Sequence, residues 1–327
     1  MELEQLQAKF RGALLGVAVG DALGAPFEGT RAMTHRVLER LVRDPGPMRY
    51  TDDTHMTLGL AASLLERQGF HGNHMATAFA QNFAAEPWRG YGPGPPQVFH
   101  RLRQGVPWDE AGQTLFGGAG SFGNGGAMRV APVALFAFSD LPQVAQLARQ
   151  TAVITHTHEL GIEGAVLQAC TVALLLGREP HTALNPQGFL AALHDHVHTP
   201  VFRDKLQQLL SLLPAARPAE VAQQVSNGIA AFEAVPAALY AFLRHPESFT
   251  EAVLYALSLG GDTDTIASMT GALAGAYLGE HAIPAVWRER VEGAARLRDL
   301  ADALLAIATR ARGDRCAGSH RTAGRSH

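Results

Sequence analysis

The chain has 327 residues, of which 47% are hydrophobic and 17% charged, and its net charge is −3. This length can bury a large core without division into domains. The near-neutral balance gives no general attraction to nucleic acid or to an anionic membrane. The polar start, MELEQLQAKF, does not resemble a secretory leader, and Cys170 and Cys316 do not suggest a structural disulfide. We therefore expect a cytoplasmic protein, and nothing in the sequence demands more than a monomer.

Apolar residues recur at helical spacing along most of the chain, and no convincing strand alternation is present. The sequence predicts helices over residues 3–24, 54–67, 73–85, 96–104, 108–115, 127–138, 142–155, 159–177, 186–198, 201–212, 218–230, 232–244, 248–258, 265–279, 284–291 and 295–310. We expect a loop from residue 25 to about residue 48. No linker divides residues 1–311, so the fold class is all-α, in one compact domain. Residues 312–327 lack apolar periodicity and are predicted to be a disordered tail.

Two of these helices carry a small residue at every fourth position. These residues are Gly12, Gly16, Gly20 and Gly24 in the first, and Ala267, Gly271, Gly275 and Gly279 in the second. Inside a helix glycine costs about 1 kcal/mol relative to alanine, so such rows favour a close approach of two backbones. We expect these faces to pack tightly in the core and to draw Asp21 toward the acids that precede Ala267.

Two stretches far apart in the chain each place a pair of aspartates before an apolar helix. Asp52 and Asp53 lie in YTDDTHM, and Asp262 and Asp264 lie in SLGGDTDTIASM. Each stretch alone could be an ordinary N-cap. However, a cap needs only one side chain, and neighbouring acids repel unless a cation lies between them. Because oxygen ligands suit hard cations such as Mg²⁺, we expect the stretches to meet and to hold two divalent ions.

Two glycine-rich segments, residues 90–94 (GYGPG) and 116–126 (FGGAGSFGNGG), are predicted loops. Backbone N–H groups of such a loop can converge on an anion, although a plain turn is the alternative. Phe116, Phe122 and Tyr91 lie in these loops and could stack on a purine. The expected metal site, the anion-binding loops and the aromatic rings together suggest a nucleotide-diphosphate ligand.

Two further polar residues have an open interpretation. Glu28 follows the end of the first helix, where it is either solvated or a mobile acid or base beside the metals. His156, in the run THTH, either lines the pocket or is a structural histidine.

Several blocks of the sequence resemble the ADP-ribosylglycohydrolase family of dimetal ADP-ribosyl-acceptor hydrolases. The blocks are GALLGVAVGDALGAPFE, YTDDTHMTLGLAASLL, RGYGPG, GSFGNGGAMRVAPVAL, ITHTHELGIEGA and SLGGDTDTIASMTGALAGAYLG, and they span roughly residues 8–300 in the family's order. FGGAGSFGNGGAMR is most similar to the branch that removes ADP-ribose from serine and trims poly(ADP-ribose). The arginine-specific branch is similar but more distant.

The resemblance implies an orthogonal helical bundle with a binuclear Mg²⁺ centre, or Mn²⁺ in its place. It implies that Thr51, Asp52 and Asp53 hold one ion, that Asp262 and Thr265 hold the other, and that Asp264 is shared. Glu28 matches the family's mobile-loop acid or base. The residues that match substrate contacts are Gly92, Gly94, Phe116, Gly120, Ser121, Phe122, Gly123, Asn124 and His156. Phe122 replaces an expected tyrosine, which preserves stacking but loses a phenol hydrogen bond.

The expected substrate is an ADP-ribosylated protein, poly(ADP-ribose) or O-acetyl-ADP-ribose, and the expected product is ADP-ribose. Three rivals stay open at this point. One is an arginine-specific hydrolase, the second a module that binds ADP-ribose without cleaving it, and the third a structural relative such as the lens crystallins related to this family.

Overall fold

The regular secondary structure of the described residues is almost entirely helical. A computed structural model describes residues 2–30, 33–180, 182, 184–213 and 217–322, with the backbone alone at residues 35 and 311–322. These residues form three short 3-10 helices (Ala25–Phe27, Leu115–Gly118 and Glu280–Ala282) and no strand. Their α-helices are α1 (Leu3–Gly24), α2 (His35–Arg43), α3 (Asp52–Arg67), α4 (Gly72–Ala85), α5 (Gly94–Arg103), α6 (Gly125–Met128), α7 (Ala131–Ala137), α8 (Leu141–Val153), α9 (Glu159–Leu176), α10 (Pro186–His194), α11 (Pro200–Leu212), α12 (Pro218–Gln224), α13 (Ala231–Arg244), α14 (Phe249–Ser258), α15 (Thr263–Leu278), α16 (Ala285–Arg290) and α17 (Ala294–Thr322). The all-α prediction is confirmed.

Helices α1 and α15 lie side by side at the centre and share the most extensive helix–helix contact of the described residues. Helices α9, α13 and α14 pack on α15, while α3, α7 and α17 pack on α1. Helix α9 has the length and hydropathy to cross a membrane, but 83% of it is buried inside the protein, so it serves here as a core helix.

The predicted rows of small residues form the contact between α1 and α15. A Cβ added at Gly16 would lie 2.0 Å from the carbonyl oxygen of Gly271, and one at Gly20 would lie 2.0 Å from that of Ala267. In the opposite direction, a Cβ at Gly275 would lie 2.0 Å from the carbonyl oxygen of Gly12. The two helices are therefore antiparallel, and their backbones touch where any side chain would collide. The predicted tight packing is confirmed.

The loop expected between residues 25 and 48 contains a helix that the sequence analysis missed. Helix α2 has its polar residues on one side and Leu41, which is buried, on the other. Residues 108–115 were predicted to be helical, but they form a series of turns that ends in a 3-10 helix. Gly112 lies inside this short segment and opposes a continuous helix through it.

Three other helix predictions had wrong bounds, and the first, over residues 186–198, ends at His194. Residues 127–138 divide into α6 and α7 at Arg129, because Pro132 starts a new helix in its favoured first turn. The helix expected over residues 218–230 ends at Gln224, and Ser226 then adopts a left-handed φ of 75°.

The final helix continues past the boundary expected after residue 311. The backbone of α17 runs to Thr322, through part of the segment for which a disordered tail was predicted. The side chains of residues 311–322, which include Cys316, and all of residues 323–327 lie outside the described part of the chain. The domain boundary stays a prediction.

Gly16→Ala should lower the free energy of unfolding by about 1–3 kcal/mol, because the new methyl group forces α1 away from α15. This loss opposes the gain of up to about 1 kcal/mol that alanine brings to a helix interior. Gly188→Ala in α10 is the matched control, since its Cβ would meet nothing nearer than the Asn185 side chain at 3.4 Å. Urea denaturation of the two variants measures the difference, and equal stabilities would contradict the packing argument.

Candidate functional site

A single cleft gathers most of the residues predicted to act in the site. It has a volume of about 290 Å³. The predicted residues that line it are Glu28, Asp52, Asp53, Gly92, Gly94, Phe116, Ser121, Phe122, Gly123, Asn124, His156, Asp262, Asp264 and Thr265. Thr51 lies behind the acids rather than on the cleft surface. Gly120, with φ of 74°, packs against Thr157 and also does not line the cleft.

Asp21 of α1 fixes the start of α3. Its carboxylate is fully buried and accepts hydrogen bonds from the backbone N–H groups of Thr51 and Thr54 at 2.9 and 3.0 Å. It also accepts from the hydroxyls of the same two threonines at 2.8 and 2.6 Å. Because α3 begins at Asp52, these four bonds set where Asp52 and Asp53 lie. Burial raises the pKa of Asp21 to about 7.

The start of α15 is fixed by α1 and by two loops. The Thr263 hydroxyl donates to the carbonyl oxygen of Gly24, the last residue of α1, at 3.0 Å. The backbone N–H of Asp262 donates to Asn227, and the Asn124 side-chain amide donates to the Asp262 carboxylate. The Thr265 hydroxyl lies 3.4 Å from Asp53 Oδ2. The two acidic stretches therefore meet in space, as the sequence predicted.

The assembled carboxylates raise one another's pKa. Burial, followed by the charges of Asp21 and Asp264, raises the pKa of Asp52 and of Asp53 well above the usual range. Burial and the neighbouring Asp262 raise the pKa of Asp264 to about 7. Such mutual repulsion is relieved when the cluster either takes up protons or holds a cation.

The donor set fits a hard divalent cation. Asp53 Oδ1 and Asp264 Oδ1 are buried, and neither has a hydrogen-bond partner among the described residues. Ligand oxygens of Glu28, Asp262 and Asp264 lie within 4.8 Å of one another. All of these donors are oxygens, which Mg²⁺ and Mn²⁺ accept readily.

Glu28 lies at the rim of the cleft and is exposed. The charge of Asp264 is the first cause that raises its pKa, followed by burial. Its loop is attached to the turn before α15: Gly29 N–H donates to the carbonyl oxygen of Gly261 at 2.8 Å, and Gly261 N–H donates to that of Thr30 at 3.0 Å. Glu28 therefore stands beside the acids on a segment held by a backbone bridge.

Three exposed apolar side chains line the other part of the cleft. Phe116, Phe122 and Ile229 are 61%, 45% and 71% exposed. Phe116 is held with φ of 52°, which is uncommon for a residue other than glycine. Tyr91 does not join them, because it packs edge-on against Phe83 and its hydroxyl bonds His55 Nδ1 at 2.9 Å. The expectation that Tyr91 could stack on a ligand is wrong.

His156 is held from behind by a buried arginine. Arg129 is fully buried over the ring of Phe79. It donates to the Thr155 hydroxyl at 2.8 Å, and this hydroxyl lies 2.7 Å from His156 Nδ1. Burial, and then the charge of Arg129, lower the pKa of His156 to about 3. The imidazole is therefore neutral near pH 7.

The chain of bonds from Arg129 determines the tautomer of His156. A guanidinium only donates, so the Thr155 oxygen accepts from Arg129. Among the described residues, the Thr155 hydroxyl proton has no acceptor other than His156 Nδ1. This arrangement favours the tautomer in which Nδ1 accepts the hydroxyl proton and Nε2 carries the ring proton. Nε2 faces the turn at Gly123 and Gly125, where the cleft offers it to a ligand acceptor.

Comparison with known proteins gives the family. The family model described as ADP-ribosylglycohydrolase matches residues 2–314. The chain belongs to the ADP-ribosylglycohydrolase family. Mouse ADP-ribosylhydrolase ARH3 is 39% identical over 328 residues, which cover 88% of this chain and 88% of the mouse protein. The resemblance seen in the sequence is thereby confirmed, and the chain is an ADP-ribosyl hydrolase.

Two other comparisons extend the family assignment. ADP-ribosylarginine hydrolase Tri1 of Pseudomonas putida is 26% identical, with 92% of this chain and 79% of Tri1 covered. A solved structure titled "ADP-ribosylglycohydrolase-related protein complex" superposes with a TM-score of 0.75 at 29% identity, covering 93% of this chain and 99% of that one. The all-α fold of this ADP-ribosylglycohydrolase is therefore that of a solved family relative.

Several residues that line the cleft of this ADP-ribosylglycohydrolase were not predicted from the sequence. Arg129, Thr155 and Ile229 line it and were not predicted. Arg129 had a usable signal, since it is the only charged residue in the apolar run GGAMRVAPVAL. Ile229 had none, because an isolated apolar residue before a helix is usually part of the core.

Thr155→Val should release the tautomer of His156, because the variant lacks the hydroxyl that links Nδ1 to Arg129. Nitrogen-15 NMR of the imidazole measures it: the wild type should carry its proton on Nε2, and the variant should show a mixture. Thr155→Ser retains the hydroxyl and should behave as the wild type. A wild-type spectrum with the proton on Nδ1 would refute the assignment.

Proposed function

We propose that this protein is a Mg²⁺-dependent hydrolase that cleaves the bond between the distal ribose of ADP-ribose and an acceptor. The acceptor is a serine oxygen or the next ribose of poly(ADP-ribose), with O-acetyl-ADP-ribose as a further substrate. The observation that carries this proposal is the meeting of Asp52 and Asp53 with Asp262 and Asp264 in one cleft beside Glu28. We place the enzyme in the cytoplasm as part of the same proposal.

In this proposal, oxygen atoms at the two helix starts hold a pair of Mg²⁺ ions. Asp52 and Asp53, with Thr51, would bind one ion, while Asp262 and Thr265 would bind the other and Asp264 would be shared. The unpartnered oxygens of Asp53 and Asp264 support this role. When bound, two such ions would supply positive charge that orients the ribose hydroxyls and makes a bound water more acidic.

The reaction replaces one bond to the anomeric carbon with another. The bond from the acceptor oxygen to the ribose C1 breaks, a bond from a water oxygen to C1 forms, and one proton moves from the water side to the leaving oxygen. The anomeric carbon gains oxocarbenium character as the first bond breaks. Glu28, at the rim of the acidic cluster, is the group that transfers the proton.

The rest of the cleft suits the remainder of ADP-ribose. Phe116, Phe122 and Ile229 offer exposed apolar surface for the adenine ring. The glycine-rich turn at residues 120–126 allows a diphosphate to approach the backbone closely. His156, neutral and with Nε2–H toward the cleft, donates to an oxygen of the same ligand without adding charge.

Arginine-linked ADP-ribose is the second candidate acceptor. Tri1, whose name specifies ADP-ribosylarginine, aligns along most of the chain but at 26% identity, against 39% for ARH3. The lower identity to Tri1 argues against ranking the arginine linkage first.

Removing one shared ligand should abolish both metal binding and turnover. Metal-free wild-type protein should gain thermal stability when Mg²⁺ is added, because a ligand that binds only the folded state shifts the equilibrium toward it. In Asp264→Asn this shift in Tm should largely disappear, together with the release of ADP-ribose. Asp140→Asn, in a helix cap away from the cleft, serves as control. Full turnover of Asp264→Asn would remove the metal proposal.

Glu28→Gln should retain ADP-ribose binding but lose about 100-fold or more in kcat, the usual contribution of an acid–base group. Isothermal titration with ADP-ribose and release assays on serine-linked, arginine-linked and polymeric substrates measure the two effects. Glu247→Gln changes a surface glutamate and should leave both unchanged. Unaltered kcat in Glu28→Gln would dismiss Glu28 as the proton-transfer group, and preference for the arginine linkage would favour the second candidate.

A further inference from the structure

We propose that a second cleft, beside the catalytic one, binds the acceptor-side ADP-ribose unit of poly(ADP-ribose). This proposal rests on the proposed function. The cleft has a volume of about 530 Å³. It is lined by Arg49, Tyr50, Thr51, Trp88, Arg89, Gly90 and Glu292. We call it the Trp88 cleft.

The Trp88 cleft adjoins the acidic end of the catalytic cleft. Gly90 lines both clefts, and a Cβ added there would lie 3.8 Å from Asp52 Oδ1. Thr51 lines the Trp88 cleft, while Asp52, the next residue, lines the catalytic one. A third cleft of the same volume, lined by Arg67 and Trp108, shares no residue with the catalytic cleft. The Trp88 cleft is thus placed to take a group that leaves the acidic end.

The floor of the Trp88 cleft is preorganised. Arg89 donates to both carboxylate oxygens of Glu292 at 2.8 Å and to Glu86 at 2.7 Å. Its guanidinium stacks 4.1 Å over the ring of Tyr50 and donates to the Tyr50 carbonyl oxygen at 2.9 Å. These contacts join residues 50, 89 and 292, so this part of the cleft needs little ordering when a ligand binds.

Two side chains of the cleft remain available to a ligand. Trp88 is 72% exposed, and its indole makes no aromatic contact with the described residues. Arg49 is exposed, and its guanidinium makes no hydrogen bond or ion pair within the described part of the chain. Glu292, the acid on which the charge of Arg49 acts, is already paired with Arg89. An aromatic face beside an uncommitted guanidinium is suited to a base and its phosphate.

Cleavage of a ribose–ribose bond leaves a base and a phosphate close to the acidic end, where the Trp88 cleft lies. When that bond breaks, the leaving oxygen is a hydroxyl of an adenosine, so an adenine and a phosphate are attached to the same leaving ribose. Both must lie within one nucleotide of the acidic cluster, on the side away from the adenine site at Phe116 and Phe122. A serine acceptor carries neither group. The Trp88 cleft therefore distinguishes polymer from a single ADP-ribose on serine.

Steady-state kinetics on poly(ADP-ribose) and on a serine-linked mono-ADP-ribosylated peptide test the proposal. Trp88→Ala should raise KM for the polymer about ten-fold, the order expected from loss of one base–aromatic stack, and should leave KM for the peptide unchanged. Trp88→Phe should restore most of the polymer KM. Arg49→Gln should raise the same KM and weaken its dependence on salt, whereas Arg49→Lys should do neither.

Arg67→Gln, at the third cleft, is the matched control and should change KM for neither the polymer nor the peptide. Equal losses on polymer and peptide, an effect on the peptide alone, or no effect on either would each overturn the proposal. A wild-type protein that releases no ADP-ribose from any substrate would instead refute the proposed function. The two failures are therefore distinguishable.

Discussion

The backbone contact between α1 and α15 is the constraint on which the rest of the structure depends. Glycines on both helices let them approach until a Cβ at Gly24 would lie 2.4 Å from Asp264 Cα. This contact brings Asp21, near the end of α1, beside the start of α15. Since Asp21 also holds the start of α3 through Thr51 and Thr54, one interface positions both acidic stretches. Core packing thus positions the acidic end of the cleft.

The cluster that this packing assembles is electrostatically unfavourable without a cation. Burial raises the pKa of Asp21 and of Asp264 to about 7, against an ordinary value near 4. Between pH 4 and pH 7 these two carboxyls bind more protons in the folded state than in the unfolded state. The free energy of unfolding therefore falls as pH rises through this range. The fold tolerates this repulsion because the large apolar core offsets it.

The central helix pair and the acidic end of the cleft could be predicted from the sequence, because each is marked by a repeated or paired residue pattern. The four-residue spacing of glycines identified the central helix pair, and the paired aspartates identified the acidic end. Short elements were less predictable: α2 has few apolar residues, and the segment at 108–115 has helical spacing but too few residues to support a helix. Arg129 was missed for another reason, since its role depends on Thr155 and Phe79, which only the tertiary fold brings to it.

The backbone bridge between Thr30 and Gly261 separates two kinds of motion at the rim of the cleft. While its two hydrogen bonds persist, Glu28 redirects its carboxylate by rotation about side-chain bonds, which takes picoseconds to nanoseconds. Displacement of the whole segment requires the bridge to open first, which is a slower event. Under the proposed function, proton transfer by Glu28 therefore needs only side-chain rotation, whereas any movement of its loop needs the two backbone hydrogen bonds to break.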